Sequence, residues 1–164
     1  MANPSFIKNK EGLYRVRGHV KPEEIVDTAA AILLDDLITG GELTNAASTA
    51  QFLQLSLAKE VNELFCVLFL DKRHRVLAFE KLFQGTIDSA VVHPRVVVQR
   101  AIALNAAAVI LAHNHPSNDC EPSQADRMIT EQLSKTLALI DVTVLDHFVV
   151  SSSGHVSLAE RGWI

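Results

Sequence analysis

The chain has 164 residues, enough for one domain around a single core, and its 48% hydrophobic and 21% charged residues exclude a chain dominated by disorder. A formal charge of −4 argues against a broad phosphate-tracking surface, which needs clustered Lys and Arg. Two cysteines, Cys66 and Cys120, are too few for a disulfide framework, no basic-then-apolar leader opens the chain, and no apolar run reaches the roughly 20 residues of a membrane span, so a soluble, cytoplasmic protein without membrane contact is expected.

In chain order, residues 1–12 (MANPSFIKNKEG) carry no period and read as loose. Pro22 followed by Glu23 and Glu24 suits the first turn of a helix. Ile25, Val26, Ala29, Ala30, Leu33 and Leu37 then recur at helical spacing over residues 23–38, and Gly40 and Gly41 end the run. This amphipathic helix has a face to pack on the domain or across a dimer, so homo-oligomerisation stays open. Residues 1–42 read as an N-terminal extension and 43–164 as the functional domain. A second helix is predicted over residues 45–58, capped by Thr44 or Asn45.

The period then changes. LFCVLFL at residues 64–70 is continuously apolar and short, as in a strand covered on both faces. The charged turn DKRHR leads to a second strand over residues 76–83 that pairs back as a hairpin, Gly85 interrupts it, and a short strand is predicted at 87–91. Pro94 opens a helix to residue 105 with Val97, Ala101 and Leu104 on one face, and AAVILA at 107–112 is another buried strand running into His113. A helix is predicted over residues 123–139, then a further strand or strand pair from 142–145 and 148–150, a turn at 151–154 and a last short strand before Trp163. Strands interleaved with helices give an α/β fold built around a mixed sheet.

The chemistry lies in AAVILAHNHPSNDCEPSQAD, residues 107–126. In extended backbone, residues i and i+2 share a face, so His113 and His115 point the same way, about 6–7 Å apart along the strand end. Pro116 and Pro122 restrict the loop, and Asp126 falls in the first turn of the next helix, which can return it to the His pair. Two His and one carboxylate make a three-ligand set with a fourth position open, the catalytic arrangement for zinc. Ser123-x-x-Asp126 is also a helix-capping signature, and capping could orient Asp126 without forbidding ligation.

His113-x-His115-Pro116, with Ser123-x-x-Asp126 opening the helix, resembles the JAMM motif of JAB/MPN metallopeptidases. More narrowly, HNHPS with EPSQAD, LFQGTID, VHPR, LNAAAVI, LDHFVV and the ending ERGWI resemble the RadC family over residues 46–164. The resemblance implies a cytidine-deaminase-like α/β/α architecture and one Zn2+ per chain held by His113, His115 and Asp126. It also implies that Ser123 helps stabilise the tetrahedral intermediate and that an upstream Glu moves the proton. The position matching that Glu is Glu63, immediately before LFCVLFL, with Glu80 as competitor. Many JAB sequences have Gly three residues after this Glu, where the chain has Cys66, and RadC-like sequences commonly have Gly where Asn118 follows HNHPS; Asn tolerates positive φ, so the turn can survive.

Cys120 falls at no position the motif uses, and Cys66 reads as a small apolar core residue. His147 either lines the cleft or is a strand-end His bonded to backbone.

The resulting expectation is a zinc metallohydrolase cleaving an amide or isopeptide bond in a protein or peptide substrate. The alternative is a DNA-repair-associated factor, since RadC relatives carry that link by name; the helix-hairpin-helix segment of full-length relatives is not evident in residues 1–45, and the acidic charge does not support DNA contact. A nucleobase deaminase would need H-x-E and P-C-x-x-C, which the chain lacks. A scaffold role ranks low because all three ligand positions are filled.

Overall fold

The computed structural model describes residues 5–40, 46–85 and 91–164. A small hairpin, β1 (Phe6–Lys8) and β2 (Tyr14–Val16), precedes α1 (Pro22–Thr39) and α2 (Ala46–Leu57). Then follow β3 (Leu64–Leu70), β4 (Val76–Gln84), α3 (Pro94–Ala103), β5 (Ala108–Asn114), α4 (Gln124–Ala138), β6 (Thr143–Val150) and β7 (His155–Ser157). The expected cap at Thr44 or Asn45 and residues 87–90 of the expected short strand lie outside the described residues.

The main sheet has five strands in the order β4-β3-β5-β6-β7. Strands β3 and β5 pair antiparallel, β5 and β6 parallel, and the edge strands β4 and β7 antiparallel to their neighbours, so the sheet is mixed. Helices cover both faces, as the α/β/α expectation requires. Alternation along each strand divides the core between those faces. Leu64, Cys66, Leu68 and Leu70 of β3 pack with Phe52, Leu53 and Leu57 of α2, while Phe65, Val67 and Phe69 pack with Val97 of α3 and Leu133 and Leu137 of α4. All seven residues of β3 are buried, which is why the run shows no polar alternation. Each fully buried Leu or Phe contributes about 1.5–3 kcal/mol relative to exposure.

The same parity places the chemistry. Ala108, Ile110 and Ala112 of β5 face α2, and Val109 and Leu111 face α3 and α4. His113 continues the second set and so looks toward α4. On α4, Thr130, Leu133 and Leu137 form the buried stripe. Asp126 lies one turn before Thr130 and therefore points to the sheet.

The structure refines the sequence expectation at two places. Of residues 1–12, read as loose, the described part is not wholly so: Phe6 pairs with Val16 and Lys8 with Tyr14. The turn is held by Asn9, whose Oδ1 accepts from the amides of Glu11 at 3.0 Å and Leu13 at 2.8 Å. Of the strand or strand pair expected over residues 142–150, the structure shows a single strand carrying a β-bulge. Val109 pairs with Val144 and the next residue, Ile110, with Asp146, leaving Leu145 as the extra residue. Val144 and Leu145 pack on opposite faces, and beyond the bulge Phe148 and Val150 face α2. The bulge thus turns His147 toward α4. Asp146 secures it, accepting from the amides of His147 at 2.7 Å and Ala159 at 3.0 Å and from the Ser157 hydroxyl at 2.7 Å.

Candidate metal centre

Three ligand-capable side chains converge where β5 ends and α4 begins. His113 Nε2 lies 3.0 Å from His115 Nε2 and 3.1 Å from Asp126 Oδ1, and His115 Nε2 lies 3.6 Å from Asp126 Oδ2. One ligand atom from each falls within 4.8 Å of the others, and among the described residues this is the group that could hold a metal ion. His113 is 1% exposed, while His115 and Asp126 are partly open to solvent. The spacing inference from His-x-His and the return of Asp126 on the following helix are thus realised in the geometry.

Local structure aims each ligand. Ser123 is the N-cap of α4, and its hydroxyl accepts from the Asp126 amide at 3.2 Å. In return, the Ser123 amide and hydroxyl each donate to Asp126 Oδ2 at 2.7 Å. The cap fixes one carboxylate oxygen and leaves Oδ1 toward His113, so capping and ligand placement are one arrangement. His115 Nδ1 lies 2.8 Å from the Asp119 carbonyl oxygen. That oxygen only accepts, so Nδ1 carries the proton and Nε2 of the neutral ring offers a lone pair to the centre. Asn118 makes the intervening turn with φ of 65°, and its carbonyl oxygen accepts from the Ser153 hydroxyl at 2.8 Å. Farther along, Glu121 is held by the Arg161 guanidinium at 2.6 Å, and Trp163 lies beneath both Arg127 and Arg161.

The electrostatics call for a cation. Burial would raise the Asp126 carboxyl, but close contact with the His113 and His115 rings, together with the charge of His113, outweighs it and holds the group well below the usual carboxylate range. His115 is raised, chiefly by its hydrogen bond to Asp126, with the negative charge of Glu63 adding to the shift. Two imidazoles and a carboxylate converging in a half-buried site fit the donor set of a divalent transition metal such as zinc.

Glu63 precedes β3, whose Phe65 pairs with His113. Its charge acts on His115, which puts it in the neighbourhood of the centre. Glu80 is placed elsewhere. It lies on β4 opposite Val67, which in turn pairs with Leu111 of β5, so it is two strands, about 10 Å, from β5. Arg100 of α3 grips it, Nε donating to Oε2 at 2.8 Å, and holds its carboxyl below the ordinary value. Cys120 is free and not among the clustered ligands. Cys66 is a core residue whose thiol is pushed up to about 12 by burial.

His147 neither lines an open cleft nor bonds to backbone through its ring. It is fully buried behind His113, with Nε2 2.8 Å from His113 Nδ1 and Nδ1 2.6 Å from Thr130 Oγ1. Burial, and then the adjoining His113, push its pKa well below the usual histidine value, so the ring is neutral. Thr130 and Asn114 were missed from sequence. The signal for Thr130 was its position four residues after Asp126 on one helical face. Asn114, between the two histidines, points to the opposite side of the strand.

Comparison with known proteins agrees with the motif. A family model described as RadC-like JAB domain matches residues 43–163. A UPF0758 protein of Vibrio cholerae is 47% identical over 155 residues, covering 94% of this chain and 98% of that protein. A UPF0758 protein of Xanthomonas campestris is 52% identical over 132 residues, covering 80% of this chain. The chain matches only 59% of that longer relative, as against nearly all of the Vibrio protein. These names state no activity. The buried strand ending in His-x-His, the capped helix returning Asp126 and the family match agree: the chain belongs to the RadC family of JAB-domain proteins.

Proposed function

We propose that the domain is a zinc-dependent hydrolase of the JAMM type that cleaves an amide or isopeptide bond. The observation that carries it is the convergence of His113, His115 and Asp126 within 4.8 Å at a strand end partly open to solvent. When bound, zinc would lower the pKa of a water in the open position to about 7 and polarise the scissile carbonyl. Glu63 takes the proton of the attacking water and returns it to the leaving nitrogen. Ser123 steadies the oxyanion that develops on the carbonyl. Its hydroxyl proton now goes to Asp126, so this role requires the hydroxyl to turn away while the Ser123 amide keeps Asp126 Oδ2 in place.

The test is metal analysis of protein purified without added metal, followed by cleavage of a peptide and isopeptide library. About one zinc per chain, lost in a folded His113→Ala variant, and zinc-dependent cleavage are expected. Full occupancy in His113→Ala would sink the site, and bound zinc with no cleavage of any library member would sink the hydrolase.

A further inference from the structure

The geometry points to His147 and Thr130 as positioning residues that fix the proton of His113 on Nδ1 and so keep its Nε2 lone pair free for a metal. The inference deepens the metal-site proposal and rests on it. Its basis is a row of three hydrogen bonds, the two between side chains buried, whose direction is set from one end. Thr130 Oγ1 lies 2.5 Å from the backbone carbonyl oxygen of Asp126. A carbonyl can only accept, so the single hydroxyl proton of Thr130 is committed there. Thr130 must then accept from His147 Nδ1 at 2.6 Å, which puts the His147 proton on Nδ1 and a lone pair on Nε2. That lone pair accepts from His113 Nδ1 at 2.8 Å.

The opposite direction would leave two acceptors, Thr130 Oγ1 and the Asp126 carbonyl, 2.5 Å apart with no proton between them. Solvent offers no way around this, since Thr130 and His113 are each 1% exposed and His147 is fully buried. Phe65 holds both rings, stacked 10° from parallel with His113 and edge-on to His147. The row begins and ends on one residue: Asp126 presents its carboxylate to His113 Nε2 and, through its carbonyl, dictates which nitrogen of His113 is free. Metal-bound histidines ordinarily gain this orientation from a carboxylate, a carbonyl or water. Here a neutral imidazole and a hydroxyl relay it from a carbonyl one helical turn away.

The experiment uses the whole chain labelled with 15N-histidine. Two-bond 1H–15N correlation spectra of metal-free protein at pH 8 read the tautomers directly. Both His113 and His147 are expected to carry the proton on Nδ1. Zinc competition titrations then compare wild type with Thr130→Val, which keeps the shape and removes the hydroxyl, and Thr130→Ser, which restores it. Thr130→Val is expected to bind zinc about 10–100-fold more weakly and to show His113 protonated on Nε2, with Thr130→Ser near wild type. A wild-type His113 protonated on Nε2 would overturn the inference, whatever the variants do. So would Thr130→Val with wild-type zinc affinity. Wild type that binds no zinc removes both this role and the proposed function; wild type that binds zinc with the expected tautomers but cleaves nothing removes only the hydrolase.

Discussion

The amide of Leu64 donates a buried hydrogen bond to Asn114 Oδ1 at 2.8 Å, joining the residue after Glu63 to the residue between His113 and His115. Asn114 Nδ2 completes the clamp with the carbonyls of Glu60 at 3.3 Å and Asn62 at 3.1 Å. One side chain thereby docks the segment carrying Glu63 onto the strand end carrying two ligands. Asn114→Ala strands the Leu64 amide, at about 1–3 kcal/mol. Urea unfolding should record that loss. Zinc affinity should change only a few-fold, because the ligands lie on the other face, while hydrolysis should fall by more than affinity does. Equal losses in both would show that the clamp does not act through Glu63.

Ser123 carries two loads, and a variant separates them. Ser123→Ala removes the α4 cap at about 1 kcal/mol and frees Asp126 Oδ2 from the hydroxyl that orients it. Both the thermal midpoint of the metal-free protein and zinc affinity should fall, and Ser123→Thr should recover both. A drop in stability alone, with zinc affinity unmoved, would show that the Ser123 hydroxyl does not orient Asp126 for the metal.

Much of this was legible in the sequence because it depends on short-range pattern. LFCVLFL is apolar without interruption because both faces of β3 are covered, and His113 and His115 share a face because the strand period is two. What was not legible depends on sheet order and on exceptions to that period. His147 faces His113 only because Leu145 is an extra residue, and a count of alternating positions puts it on the wrong side. Glu63 precedes β3 and Glu80 lies within β4; they are told apart by Arg100 of α3, which grips Glu80. The β1–β2 hairpin escaped notice because its strands are three residues long and mostly exposed, leaving no periodic burial to read.

Zinc binding should depend on pH through the His115–Asp126 pair. His115 is raised in the folded protein, so its contribution to stability is fully present below the unfolded histidine value of about 6.5 and is lost as pH rises through the raised value. Asp126 is depressed, so its contribution is present above about 3.9 and is lost only as pH falls toward the depressed value. Without metal the pair therefore stabilises the fold most between about pH 4 and 6.5. Zinc needs the His115 proton gone. Its affinity, and the rise in melting temperature it produces, should therefore be larger at pH 8 than at pH 6. A rise in melting temperature of the same size at both values would mean that His115 is not a ligand.

The two glutamates give the sharpest separation. Glu80 and Arg100 form a partly exposed ion pair, with side chains 22% and 42% exposed, and solvent screening leaves such pairs little net weight in stability. Glu80→Gln should lower the thermal midpoint slightly and leave hydrolysis within about two-fold, since its carboxylate is already committed to α3. Glu63→Gln keeps the size of the side chain and removes the charge that acts on His115. Hydrolysis should fall by about 10²–10⁴-fold, the range for losing a general acid–base group, with zinc still bound. The same change should lower the His115 pKa, because a negative charge that raises it is gone. Histidine NMR titration of metal-free Glu63→Gln reads that shift without any substrate. A shift with undiminished hydrolysis would keep Glu63 beside the centre but remove it from catalysis, and an unmoved His115 would place it elsewhere.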